Sequence, residues 1–222
     1  MKRWVFSGKK MAKGDKLRKQ IWQKRNSKSF KREIGTRGKP YQRILIVCEG
    51  EKTEPNYFRQ FRVTSADIEV VGKGYNTLSL VQEAIRLKRK ARRDDEPFDQ
   101  VWCVFDVDSF PPENVNGAWQ MAKKNSVRTA LSNEAFELWF LLHFDYITAA
   151  HSRDLYQEML SQRLGKKYKK NSTQTYRDLY PMQARAIENA EKLIAQYHPR
   201  RPFHDKPCTE VHQLVMELNR QK

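Results

Sequence analysis

The sequence predicts an α/β fold, a mostly parallel sheet flanked by helices, and three observations predict it. The run Ile44 to Cys48 and the run that opens VWCVFDVDSF at residues 101–110 are apolar without alternation. Strands of that kind belong to parallel sheets covered on both faces. Between and after them stand segments with helical spacing, which is the order of βαβ units. Both runs also end in acidic residues, and in open parallel sheets ligands bind at the carboxyl ends of the strands.

Residues 1–40 read as a basic, flexible N-terminal arm. They hold 15 Lys and Arg against Asp15 and Glu33, a net +13 out of the chain's +17, which leaves +4 for residues 41–222. Like charges and few large apolar residues favour an extended segment. Trp4 and Trp22, interleaved with cations, suit stacking on nucleic-acid bases or anchoring of the arm. A solubilising tail is the plain alternative.

The remainder, 41–222, is long enough for one main domain with a C-terminal helical extension. No run reaches the ~18 apolar residues of a membrane span, and MKRWVFSGKKMAKG has no cleavable apolar core. A soluble, cytoplasmic protein is expected, with no membrane partner. Cys48 and Cys103 fall in expected strands and Cys208 stands far away, so the thiols read as structural.

After the first strand, Glu49, Gly50, Glu51 and Lys52 form a polar turn; Thr53 suits a helix cap and Pro55 the first turn. Glu51 and Glu54 read as solvent-facing or capping. Ile68, Val70 and Val71 make a second strand, closed by GKGYNT, where Gly72, Lys73 and Gly74 form a turn able to meet phosphate. Ser79 and Gln82 suggest a capping box for a helix from about Leu78 to Arg92. Its basic end complements the helix dipole.

The strand at 101–110 delivers Asp106 and Asp108. Residues two apart in a strand point the same way, so this pair can grip one cation, with Glu49 at the neighbouring strand end. Hard oxygen donors without His or Cys favour Mg2+ or Mn2+. After a short strand at 127–131, Ser132 and Asn133 read as the cap of a buried helix in NEAFELWFLLHF. Glu134 fits the acidic first turn. Glu137 sits among large apolar residues, so a metal, a lysine or an arginine is expected beside it. His143 reads as a structural hydrogen-bonding group.

Downstream, Leu155, Met159 and Leu164 predict a helix broken at Gly165. An exposed basic loop with Lys166, Lys167, Lys169 and Lys170 follows, either facing nucleic acid or simply solvated. Ala186, Ile187, Ala190, Leu193 and Ile194 define another amphipathic helix, and Val211, Leu214, Val215 and Leu218 a last one carrying His212.

The segments ILIVCEGEKTEPNYF, GKGYNT, VFDVDSF, SNEAFELWFLLHF and TEVHQLVMEL, in this order, resemble the RloB-like family over roughly residues 41–218. The resemblance implies a Rossmann-like Toprim core with a magnesium-dependent nuclease centre and association with an ATPase partner in antiphage defence. It places the first Toprim glutamate at Glu49 and the DxD pair at Asp106 and Asp108. Where larger Toprim enzymes continue to a third acidic residue this chain has Phe110, and Glu137 is the candidate substitute. Two readings follow. In the first, Glu49, Asp106, Asp108 and Glu137 hold metal in a nuclease of DNA or RNA, with Lys52 on the phosphate. In the second, the same scaffold is a non-catalytic nucleic-acid-binding or assembly module.

Overall fold

The computed structural model describes residues 41–72, 74, 76–107 and 111–222. Among them, strands β1 (Gln42–Cys48), β2 (Ala66–Gly72), β3 (Gln100–Asp106), β4 (Arg128–Asn133) and β5 (Cys208–Thr209) form one sheet in the order β2-β1-β3-β4-β5. β1 pairs in parallel with β2 and β3, and β3 with β4. The two-residue β5 alone is antiparallel, on the edge of β4.

The helices are α1 (Thr53–Phe58), α2 (Thr77–Arg93), α3 (Pro112–Lys124), α4 (Glu137–Leu141), α5 (Arg153–Leu164), α6 (Thr175–Leu179), α7 (Gln183–Ala195) and α8 (Val211–Asn219), with a 3-10 turn at Tyr180–Met182. Leu45 and Val47 face α2 and α3 through Leu80, Val81, Val115 and Ala118. Ile44, Ile46 and Cys48 face the opposite layer, where Phe58, Trp139, Tyr156, Leu193 and Leu214 pack. Each face of β1 therefore needs apolar side chains, which is why the run 44–48 does not alternate.

Chain entry to the helices differs from the sequence expectation in three places. Thr53 lies inside α1, where its hydroxyl donates to the Lys170 carbonyl at 3.0 Å rather than capping the helix. At α2 the cap is Asn76, whose Oδ1 accepts from the Ser79 N–H at 2.9 Å. Ser132 and Asn133 do not cap a helix; they end β4, fully buried. Asn133 Nδ2 donates to the carbonyls of Pro202, Phe203 and Asp205 at 3.2, 3.0 and 2.9 Å, tying down the segment before β5. Helix α4 accordingly starts only at Glu137. In α5, capped by Ser152 and ended at Gly165 in the left-handed conformation, Tyr156 and Leu160 are buried while Leu155 is exposed.

Cys48, Cys103 and Cys208 are free and buried. Burial raises all three thiols, Cys103 and Cys208 to about 12, so they stay neutral packing groups. Among the described residues no helix is long and apolar enough to cross a membrane.

Candidate active site

Strand order turns around between β1 and β3, since β2 follows on one side of β1 and β3 on the other. The carboxyl ends of these two strands border the crevice where open α/β sheets take ligands. Glu49 directly follows β1, and its N–H donates to the Val104 carbonyl at 2.9 Å, which extends the ladder to β3. Its Oε2 accepts from the Asp106 N–H at 3.1 Å. The two acidic residues are thus locked together by the sheet itself.

The turn Gly50–Lys52 then reverses the chain into α1 and aims Glu54 back at the strand ends. A Cβ on Gly50 would run into the Glu54 carboxylate, and one on Gly72 would collide with the Gly50 carbonyl and the Pro55 ring. Gly72 is required by the backbone's close approach, and a side chain at Gly50 would displace the Glu54 carboxylate. Glu54, expected at the surface, is buried. Burial first, and then the charge of Glu137, raise its carboxyl pKa. The structure corrects the sequence reading here: α1 is only six residues long and its first turn faces the sheet edge, not solvent.

Asp106 is strongly perturbed. Desolvation and the negative charges of Glu54, Glu137 and Glu49 push its pKa well above the usual range, against the pull of Arg153. Arg153 Nη2 approaches Asp106 Oδ2 at 2.9 Å from the first turn of α5. Asp106 Oδ1 is buried without a hydrogen-bond partner. Glu137, at the start of α4, is buried beside Lys170 Nζ at 4.0 Å and the Tyr168 hydroxyl at 3.4 Å. A cleft of about 300 Å3 opens among Lys52, Glu54, Asp106, Glu137, Arg153 and Lys170.

The structure thus brings Glu49, Lys52, Asp106 and Glu137 to one place, and adds Glu54, Arg153 and Lys170. Of the basic loop, Lys166 is paired with Asp178 at 2.7 Å, and Lys167 and Lys169 are exposed. Lys73, Asp108, Phe110, Trp4, Trp22 and the arm 1–40 lie outside the described residues. His143 Nδ1 meets the Trp139 carbonyl at 3.0 Å and His212 Nδ1 the Thr209 carbonyl at 3.2 Å; burial lowers both pKa values to about 4. Each is a buried neutral ring held by main chain.

Among the described residues, no three carboxylate, imidazole or thiol groups stand close enough to ligate one ion together. The donor set still fits a hard divalent cation. Mg2+ uses one or two carboxylates and keeps several waters, and the partnerless buried Asp106 Oδ1 beside Glu49 is an oxygen of that kind.

Fold and cleft together define an α/β protein with a carboxylate cluster at the strand-order reversal of its sheet. The RloB-like protein family matches residues 44–218, and the chain belongs to that family. No curated protein and no solved structure matches it.

Proposed function

We propose that this chain is a metal-dependent phosphodiester hydrolase of nucleic acid, built on a Toprim-type scaffold and working with an ATPase partner in antiphage defence. The single observation that carries the reading is Asp106. It is buried among Glu49, Glu54 and Glu137, its pKa is driven up by burial and their charge, and one of its oxygens has no partner. Such repulsion is costly unless a cation relieves it, so clustering at strand ends is best explained by use.

Hydrolysis needs an activated water, charge neutralisation at the phosphate, and a proton for the leaving oxygen. Asp106 and Glu49, with Asp108, would hold Mg2+ or Mn2+, which when bound supplies Lewis-acid stabilisation and an acidified water. Glu49 can also serve as general base. Glu54, whose raised pKa keeps a proton to higher pH than an ordinary carboxylate, suits the proton donor. Lys52, Arg153 and Lys170 border the cleft as the cations for phosphate oxygens.

One observation favours the second reading, a non-catalytic binding or assembly module: Arg153 already places a positive charge on Asp106. The test is incubation of the purified chain with single- and double-stranded DNA and RNA in Mg2+, Mn2+ or chelator, with and without an ATPase encoded beside it. Divalent-dependent cleavage lost in a folded Asp106→Ala variant supports the hydrolase. Cleavage unchanged in that variant removes Asp106 from the mechanism, and inertness in every combination supports the module.

A further inference from the structure

A groove of about 480 Å3 lies beyond the carboxyl end of α1, lined by Arg62, Tyr176, Arg177, Tyr180 and Lys222. Gln60 and Thr64 add uncharged polar groups, and among the described residues no Asp or Glu lines it. Tyr180 is 48% exposed. Its centroid stands 5.6 Å from that of Tyr176, with Lys222 Nζ at 4.6 Å. Tyr176 is in turn fixed against Phe61 at 4.9 Å and Tyr57 at 5.3 Å. An exposed tyrosine ring among cations is what a stacked base with flanking phosphates requires.

The groove is coupled to the carboxylate cleft by α1. Glu54 lies in the first turn of α1 and Gln60 just past its end, a separation of roughly 9 Å at helical rise. Alongside runs the basic loop, held to α1 by Thr53 on the Lys170 carbonyl at 3.0 Å and Asn56 on the Asn171 carbonyl at 3.3 Å. Lys170 reaches the cleft and Arg177, seven residues on, reaches the groove. The segment 170–177 therefore borders both, with a cation at each end.

We infer that this groove seats a single-stranded segment of nucleic acid flanking the phosphate handled at the carboxylate cleft, an inference that rests on the hydrolase reading for the cleft. A base stacks on Tyr180, and neighbouring phosphates meet Arg62 and Arg177. Single strands are the class selected because duplex bases are already stacked on each other and leave the tyrosine face unused.

The experiment measures binding of labelled single-stranded oligonucleotides by the full chain in chelator, across a salt series, so that no turnover enters. Tyr180→Ala is expected to weaken binding about 5- to 150-fold with the logarithmic salt slope unchanged, and Tyr180→Trp to retain it. Arg62→Ala and Arg177→Ala are each expected to flatten the slope by about 0.7. Oligonucleotides carrying 5-iodouracil should photo-cross-link to Tyr176 or Tyr180. Unchanged affinity in Tyr180→Ala and Arg177→Ala, or cross-links confined to other residues, overturns the inference. So does equal affinity for duplex, or competition by a poly-glutamate peptide with the same dependence on Tyr180. Groove-dependent binding by a chain that cleaves nothing in Mg2+ or Mn2+, with or without the ATPase encoded beside it, upholds the single-strand seat and overturns the hydrolase reading alone. Cleavage together with Tyr180-independent binding overturns the groove alone.

Discussion

Arg153 Nη2 stands 2.9 Å from Asp106 Oδ2, joining the first turn of α5 to the end of β3 across 47 residues of sequence. The pair puts a fixed cation where a divalent ion would otherwise neutralise the carboxylates. Its removal is therefore expected to do two opposite things. Arg153→Gln should lower thermal stability in chelator, because Asp106 loses the charge that offsets the cost of its burial. The same variant should show a larger rise in melting temperature on adding Mg2+ than the parent chain. A smaller rise would mean that Arg153 supports the ion rather than replacing it.

Glu54→Gln should stabilise the metal-free chain at pH 7 to 8. The folded state raises the Glu54 pKa, so ionising it costs stability as pH climbs through the raised value. Below the unfolded carboxyl pKa both states hold the proton and the cost is absent. A higher melting temperature is expected near neutrality, and the gain should vanish toward pH 4. A gain that persists at pH 4 would refute this account.

The buried histidines have the opposite sign. Their folded pKa values of about 4 lie below the free value, so the unfolded chain binds more protons between pH 6.5 and 4 and stability falls as pH falls. Each contributes a loss of about 3 kcal/mol by pH 4. His143→Gln, measured by denaturant unfolding, should flatten the acid limb of the stability profile. An identical limb would show that His143 does not titrate on unfolding.

Asn133→Ala removes the donor for three carbonyls in the 202–205 segment. Buried acceptors left without a donor cost about 1–3 kcal/mol, so a fall of several degrees in melting temperature is expected. Amide exchange should rise first in residues 200–209, and uniform exchange through the sheet would argue against a local role.

Deleting residues 1–38 removes most of the excess positive charge and spares β1. Nucleic-acid affinity should drop, and its salt dependence should flatten by roughly 0.7 to 0.9 for every phosphate that the arm no longer neutralises. Replacing Trp4 and Trp22 with alanine should weaken affinity at constant slope. Equal affinity and slope for both chain lengths would leave the arm as a solubilising or partner-binding tail.

Local, periodic features were legible in the sequence. Runs such as Ile44 to Cys48 announce a doubly covered strand because each face of the sheet demands apolar side chains, and the acidic residues at both strand ends placed Glu49 and Asp106 on one edge. Amphipathic spacing found α2, α7 and α8 to within a few residues. The rest of the cleft was settled by packing. Glu54 looks like a surface residue in a first turn, and only the direction in which a six-residue helix leaves β1 turns it inward. The close approach of the chain at Gly72 belongs to the same packing and is visible only in the fold. Arg153 carries no local signal, since its meeting with Asp106 depends on how α5 packs. The Ser132 and Asn133 pattern has the composition of a cap, yet pairing with β5 and the carbonyls of 202–205 makes it a strand end. Spacing along the chain specifies which groups repeat on one face; which faces meet is set by packing between elements far apart in sequence.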